Sequence, residues 1–185
     1  MRYQIIIFLL FFLSACNQAP ASSASEDEPG ISGDDIAGKL DELGIQLPEL
    51  GVPQANYVHA VRSGKLVFLA GKTPPKTEGA KVTGKLGADL TVEEGYAAAR
   101  QVGILQLAAL KQELGDLNKI KRIVKVHGMV NATPDFTDHS KVINGFSDLM
   151  VEVFGPRGKH ARAAVGMGSL PGGKALEIEV VAEIY

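Results

Sequence analysis

One arginine and a row of glutamates near the C-terminus are the side chains best suited to do chemistry in this sequence. Arg162 heads a run of small apolar residues, and Glu177, Glu179 and Glu183 follow the turn at 171–173. A guanidinium can bind a carboxylate through two parallel hydrogen bonds, and a glutamate can take a proton from water. A plain amphipathic strand with its glutamates in water, beside a surface arginine, fits the same pattern. The residues alone leave both interpretations open.

The other residue types argue against several common kinds of site. The four histidines are scattered and have no cysteine near them, so we predict no metal site and no cofactor; they are His59, His127, His139 and His160. There is no glycine-rich strand-to-helix loop to hold a nucleotide and no Gly-x-Ser-x-Gly elbow. A net charge of −2 gives no basic field for nucleic acid, which argues against ribonuclease activity.

The first residues predict export and a lipid anchor. Arg2 precedes an apolar run at 5–13, which is too short to span a bilayer as a helix and is typical of a signal peptide. Leu-Ser-Ala-Cys at 13–16 resembles a bacterial lipobox, so we predict a signal peptide at 1–15 and lipidation of Cys16, the only cysteine. An ordinary secretory signal, with Cys16 incidental, is the alternative.

The predicted anchor sets the expected location and domain boundaries. Residues 16–33 bury too little apolar surface to offset the entropy of ordering them, so we expect a flexible tether. The folded domain is predicted at 34–185, with a helix and loop at 34–53 and a core at 54–185. The anchor implies a periplasm-facing protein of the cell envelope, attached to a membrane. Asn17 favours the outer over the inner membrane by resemblance to enterobacterial sorting.

Local patterns in the first half of the domain predict helices and one hairpin. A short helix is expected before Gly44, and Ser63-Gly64 between two apolar runs indicates a β-hairpin. Thr91 and Glu94 form a capping box that opens a helix running to about Leu114. The buried stripe of this helix is predicted at Ala98, Val102, Leu105 and Ala109.

The second half alternates strand and helix. A strand is predicted at 119–130, followed by a helix with one apolar face, at Val142, Phe146, Leu149 and Val153. Two strands joined at 171–173 predict a closing hairpin, with the three glutamates and Val181 on one face of the last strand and its aliphatic residues on the other. This order of elements predicts an α+β fold, in which two helices cover one mixed sheet.

Three separated motifs resemble the RidA/YjgF family of imine and enamine deaminases. They are NYVHAVRSGKLVFLAGKTP, VINGFSDLMVEVFG and ARAAVGMGSLPGGKALEIEVVAEI, in the family's order. The resemblance covers about residues 54–185 and looks closest to a subgroup with an extra N-terminal helix, of which this chain would be a lipoprotein member. It implies a chorismate-mutase-like fold that assembles as a homotrimer with clefts between the subunits.

The resemblance also implies roles for five residues. Arg162 would clamp a substrate carboxylate, and Glu177 would orient or activate the attacking water. Tyr57, Gly71 and Asn144 would line the cleft with Arg162. None of these roles follows from the spacing of the residues alone.

The sequence departs from the family's pattern beside these residues. Ala70 stands where the deaminases usually have serine, and Lys72 replaces their common glutamine. Ala163 and Ala164 replace the usual polar pair after the arginine. The arginine clamp is kept, while hydroxyl and thiol groups of the cleft are lost.

Two functions are therefore expected. The first is a cofactor-free hydrolase that deaminates small carboxylated imines or enamines and releases keto acid and ammonia. The second is a non-catalytic, lipid-tethered module that binds small carboxylate metabolites. Export would separate the protein from the cytoplasmic pyridoxal-phosphate enzymes that produce the family's usual imines.

Overall fold

A five-stranded mixed sheet with two long helices on one face forms the domain. The computed structural model describes residues 35–76 and 79–185, so the predictions for the signal peptide, Cys16 and the tether lie outside the described residues. The helices are α1 (Ile36–Glu42), α2 (Val92–Leu114) and α3 (His139–Phe154). The strands are β1 (Ala60–Ser63), β2 (Leu66–Lys72), β3 (Ile120–Asn131), β4 (Ala161–Met167) and β5 (Leu176–Ile184). The predicted α+β class and its two covering helices are confirmed.

Most local predictions are confirmed by the element boundaries. Strands β1 and β2 pair as an antiparallel hairpin, and Gly64 supplies the positive φ of 59° in its turn. Thr91 Oγ1 accepts from the Glu94 backbone N–H, while the Glu94 carboxylate accepts from the Thr91 backbone N–H. Leu105 is the exception in the predicted stripe of α2, because it is only half-buried while Ala98, Val102 and Ala109 are buried.

The predicted closing hairpin is wrong. The strands lie in the order β1-β2-β5-β3-β4, so β3 separates β4 from β5. Strand β4 pairs in parallel with β3, and β5 pairs antiparallel with both β3 and β2. The alternation of a strand indicates its faces but not its partner. Here α3 crosses over the sheet and returns the chain beside β3, which leaves β5 to enter on the other side.

The two faces of the sheet differ sharply in burial. Leu176, Ile178, Val180, Ala182 and Ile184 of β5 are each at most 7% exposed and pack toward the helices. The predicted opposite face carries Glu177, Glu179, Val181 and Glu183 and has no helix over it. Large apolar side chains on this open face remain in contact with solvent: Val61 (55% exposed), Phe68 (45%), Val165 (38%) and Leu66 (36%).

Membrane-spanning helices are absent from the described residues. Across residues 35–76 and 79–185, no helix has both the length and the apolarity needed to cross a bilayer.

Candidate functional site

Arg162 lies on the edge strand β4 and reaches back to helix α3. Its Nη1 donates to Asn144 Oδ1 and to Ser147 Oγ, both at 2.9 Å. Within the described part of the chain, its Nε and Nη2 groups donate to no acceptor, and the side chain is only half-buried. One edge of the guanidinium is thus held by the protein, while other donors remain for a ligand.

Ser147, which the sequence reasoning missed, is part of a second line of hydrogen bonds. Ser147 Oγ lies 3.0 Å from His160 Nε2, and His160 Nδ1 lies 2.6 Å from the Gly158 carbonyl oxygen. Because a carbonyl only accepts, we assign the proton to Nδ1, and the Ser147 hydroxyl then donates to Nε2. Its oxygen remains free to accept from Arg162. The signal available in the sequence was the spacing of Asn144 and Ser147, three residues apart on one helix face.

Burial favours the neutral form of His160 in this network. Desolvation lowers the pKa of His160, and the nearby positive charge of Arg162 lowers it further, against the opposing effect of the Gly158 hydrogen bond. The ring also packs edge-on against Phe146, with 6.2 Å between centroids. A neutral imidazole leaves Nε2 as an acceptor, which is the form that the Ser147 hydroxyl requires.

The Glu177 side chain reaches over Gly71. A Cβ atom at residue 71 would be 2.1 Å from Glu177 Oε1, so the carboxylate occupies the space that the glycine leaves. Burial raises the pKa of Glu177, the charge of Glu179 raises it further, and Lys72 acts in the opposite direction. A carboxylate with a raised pKa is a stronger base and is better suited to accept a proton from water.

A buried glutamine fixes this pair in place. Gln106 of α2 is 1% exposed, and its Nε2 donates to the carbonyls of Ala70 (3.1 Å) and Ile178 (2.7 Å). These residues adjoin Gly71 and Glu177, at the point where the register of β2 against β5 shifts between Leu69 and Lys72. Gln106 therefore ties the irregular end of β2 to β5. Its place in the apolar stripe of α2 was a signal that the sequence reasoning did not use.

The structure groups four of the five predicted cleft residues into two separate pairs. Arg162 is opposite Val126 of β3, which faces the helices. Glu177 is opposite Met129, three positions later on β3, which faces the open side. Arg162 with Asn144 and Gly71 with Glu177 consequently lie on opposite faces of the sheet of one protomer. Tyr57 is 52% exposed in the segment before β1, and its side chain is bonded to none of the other four.

The described residues hold no obvious metal site. Over 35–76 and 79–185, no three side chains of histidine, cysteine, aspartate or glutamate come close enough together to bind a metal ion. The two pairs offer a guanidinium with donors to spare and a partly desolvated carboxylate.

Sequence comparison matches the chain to one family and to a curated relative. Residues 37–183 match a family described as YjgF/chorismate mutase-like. The family description adds an endoribonuclease activity that is unproven. Protein TCP17 of Trypanosoma cruzi is 45% identical over 150 residues, which cover 80% of this chain and 94% of TCP17. The family match includes both long helices and all five strands, reaching residue 183 of β5.

Solved structures share the fold at substantial identity. The Agrobacterium tumefaciens protein Atu1372, whose function is unknown, is 42% identical with a TM-score of 0.72, covering 80% of this chain and 91% of its own. A Shewanella oneidensis MR-1 protein that carries the same unproven endoribonuclease label is 33% identical with a TM-score of 0.76, covering 80% and 99%.

Proposed function

The chain belongs to the YjgF/chorismate mutase-like family, and we propose that it hydrolyses small carboxylated imines or enamines. The observation that carries this proposal is the guanidinium of Arg162, held at Nη1 by Asn144 and Ser147 with its other donors unused by the described residues. A planar cation held in this way can clamp a carboxylate in one orientation, which lysine cannot copy. The carboxylate would place the adjacent C=N carbon for attack by water.

Glu177 supplies the base in this proposal. Its carboxylate has no hydrogen bond to the described residues, and its raised pKa increases its affinity for a proton. Water that loses a proton to Glu177 adds to the iminium carbon and forms a carbinolamine, which expels ammonia and leaves the keto acid. Proton transfer to a positioned base commonly contributes ~100- to 10,000-fold in rate, which suits an imine that is already reactive.

The site would be completed by a second copy of the chain. Arg162 and Glu177 lie on opposite faces of one sheet, so they can meet on one substrate only if they come from different subunits. The open face that carries Glu177 also exposes Val61, Phe68 and Val165, an apolar surface suited to burial between subunits. We propose a homotrimer with its clefts between subunits, as the family resemblance implies.

A lipid anchor at Cys16 is part of the same proposal. It rests on the lipobox-like residues at 13–16 and makes the protein a lipoprotein of the subgroup with an extra N-terminal helix, facing the periplasm and favouring the outer membrane. Replacing Cys16 by serine should abolish palmitate labelling. Unchanged labelling would leave the ordinary secretory signal as the better interpretation.

A binding module for carboxylate metabolites is the second candidate. It is favoured by Ala70, Ala163 and Ala164, which bring no hydroxyl or thiol to the candidate cleft. Ribonuclease activity, suggested by the labels of the family and of the Shewanella relative, is disfavoured by the net charge of −2.

Keto-acid release separates these functions. The purified full chain would be mixed with iminopropionate generated in place by an amino-acid oxidase, and pyruvate formation followed against the uncatalysed rate. Calorimetric titration with 2-keto acids would run alongside. Keto-acid release faster than the uncatalysed rate supports the hydrolase, and binding without this acceleration supports the module. The absence of both acceleration and binding would contradict both functions.

A further inference from the structure

Lys72 carries a half-buried amine that is held by His59. Its Nζ lies 2.9 Å from His59 Nδ1, and His59 Nε2 lies 2.7 Å from the carbonyl oxygen of Gly51. The hydrolytic proposal above uses neither side chain. Lys72 directly follows Gly71 on β2, and the charges of Lys72 and Glu177 each act on the pKa of the other side chain.

The hydrogen bonds of His59 determine what the amine can do. The Gly51 carbonyl only accepts, so Nε2 carries the imidazole proton and Nδ1 is an acceptor. Lys72 must therefore be the donor in its bond to His59. A neutral amine that donates one N–H in this way keeps its lone pair free, whereas an amine that accepted from His59 would not.

Two further features favour a reactive amine here. Burial lowers the pKa of Lys72, against the opposing charge of Glu177, and so increases the neutral fraction. Among the described residues Lys72 forms no ion pair within 4.0 Å, so Glu177 does not neutralise it by direct contact. Desolvated lysines with a free lone pair are the ones that form Schiff bases with carbonyl substrates.

We propose that Lys72 attacks the C=N or C=O carbon of the carboxylated ligand and holds it as a covalent iminium. This inference rests on the proposed function, because the ligand is the one that Arg162 would clamp. It deepens that function by adding a covalent step between imine binding and keto-acid release.

The chemistry balances without any further reactant. The Nζ lone pair attacks the carbon of the protonated imine, and the C=N π pair moves to the substrate nitrogen to give a geminal diamine. One proton passes from Nζ to that nitrogen, which leaves as ammonia, and Lys72 is then joined to the carbon as a protonated iminium. Water, after losing a proton to Glu177, adds to this carbon, and the carbinolamine returns the Lys72 amine and the keto acid. With a 2-keto acid the same iminium forms by loss of one water.

The test is borohydride trapping on the full chain. Wild type is incubated with pyruvate or with iminopropionate, reduced with sodium borohydride, digested and mapped by mass spectrometry. The expected result is a reduced adduct on Lys72 and its loss in Lys72→Arg, which keeps a charge but has no nucleophilic amine. Lys65→Arg, at an exposed lysine in the β1–β2 turn, is the matched control and should keep the adduct.

Iminopropionate hydrolysis by the same variants separates this inference from the proposed function. Wild type that hydrolyses the imine without an adduct on Lys72, or Lys72→Arg with unchanged kcat/KM, would overturn the covalent step and leave the hydrolase intact. An adduct on Lys72 without any acceleration of hydrolysis would overturn the hydrolase and leave the reactive amine. Equal labelling of Lys72 and Lys65 would show an unselective surface reaction and would also overturn the inference.

Discussion

Glu177 lies so close to Gly71 that a Cβ atom at residue 71 would be 2.1 Å from Oε1 and 2.9 Å from Cδ of the glutamate. The carboxylate is the movable end of a flexible side chain, so a methyl group there would displace it and leave the backbone in place. The absence of a side chain at residue 71 thus sets the position of the proposed base.

We expect Gly71→Ala to lower imine hydrolysis by about 100-fold or more while changing the melting temperature little, because a general base that is moved loses most of its ~100- to 10,000-fold contribution. Steady-state kinetics with thermal unfolding measures both. Gly168→Ala is the control, since Gly168 has no atom within 4 Å of an added Cβ and no positive φ. Full activity in Gly71→Ala would show that Glu177 is not the base.

Arg162→Lys tests the carboxylate clamp. Lysine keeps the charge but cannot offer two parallel donors while remaining bonded to Asn144 and Ser147. Losing one charge-assisted hydrogen bond, which contributes ~1.5–3 kcal/mol, predicts that keto-acid affinity or kcat/KM falls by roughly 10- to 150-fold. Calorimetry and hydrolysis rates give the two values. Arg122→Lys, at an exposed arginine of β3, should change neither, and wild-type affinity in Arg162→Lys would remove the clamp.

The comparison of sequence and structure shows which features local patterns determine. The capping box at Thr91 and the alternation of β5 depend on neighbours within a few residues, and both were predicted from the sequence. The pairing of β4 with β3 depends on how α3 crosses the sheet, which alternation does not record, and so the closing hairpin was predicted wrongly.

The same distinction applies to the site. Arg162 and Asn144 are hydrogen-bonded to each other, but their link to His160 through Ser147 needed side-chain positions. Gln106 interrupts an apolar stripe, yet only the fold reveals that it contacts the carbonyls beside Gly71 and Glu177. A polar residue within an apolar stripe indicates a buried hydrogen bond, but the sequence does not identify the partner.

The stability of the domain should depend on pH through His160. Its folded-state pKa lies below the ordinary value of 6.5, so the unfolded chain binds the proton more tightly. The associated stability is therefore fully present above about pH 6.5 and is lost as pH falls from there through the lowered folded-state pKa. Arg162 is the charged group that acts on His160, and its charge reinforces this direction.

Urea unfolding at several values between about pH 5 and pH 8 measures this dependence. His160→Gln should flatten the acidic side of the stability profile, because glutamine does not titrate. Ser140→Ala, at an exposed residue of α3 that does not titrate, is the control and should keep the pH profile of wild type. A loss of stability at low pH that is the same in His160→Gln and wild type would contradict the assignment of His160.

The opposite-face arrangement of Arg162 and Glu177 predicts complementation between inactive subunits. Arg162→Lys and Glu177→Gln should each lower hydrolysis alone. If every cleft takes its arginine from one subunit and its glutamate from the next, random assembly of the two variants in equal amounts restores both native residues in about one quarter of the clefts. Each restored cleft pairs the arginine of a Glu177→Gln subunit with the glutamate of an Arg162→Lys subunit.

Co-expression of the two variants with different affinity tags, followed by tandem purification, isolates the mixed assemblies. Their activity should rise well above that of either parent, and the oligomer mass from light scattering should equal that of a trimer. Wild type co-expressed with the double variant is the control for dilution. A cleft shared by a wild-type subunit and a double-variant subunit always carries one substituted residue, so mixing restores no cleft there. Mixed assemblies no more active than their parents would place Arg162 and Glu177 in separate functions, whereas a monomeric mass would remove the shared cleft itself.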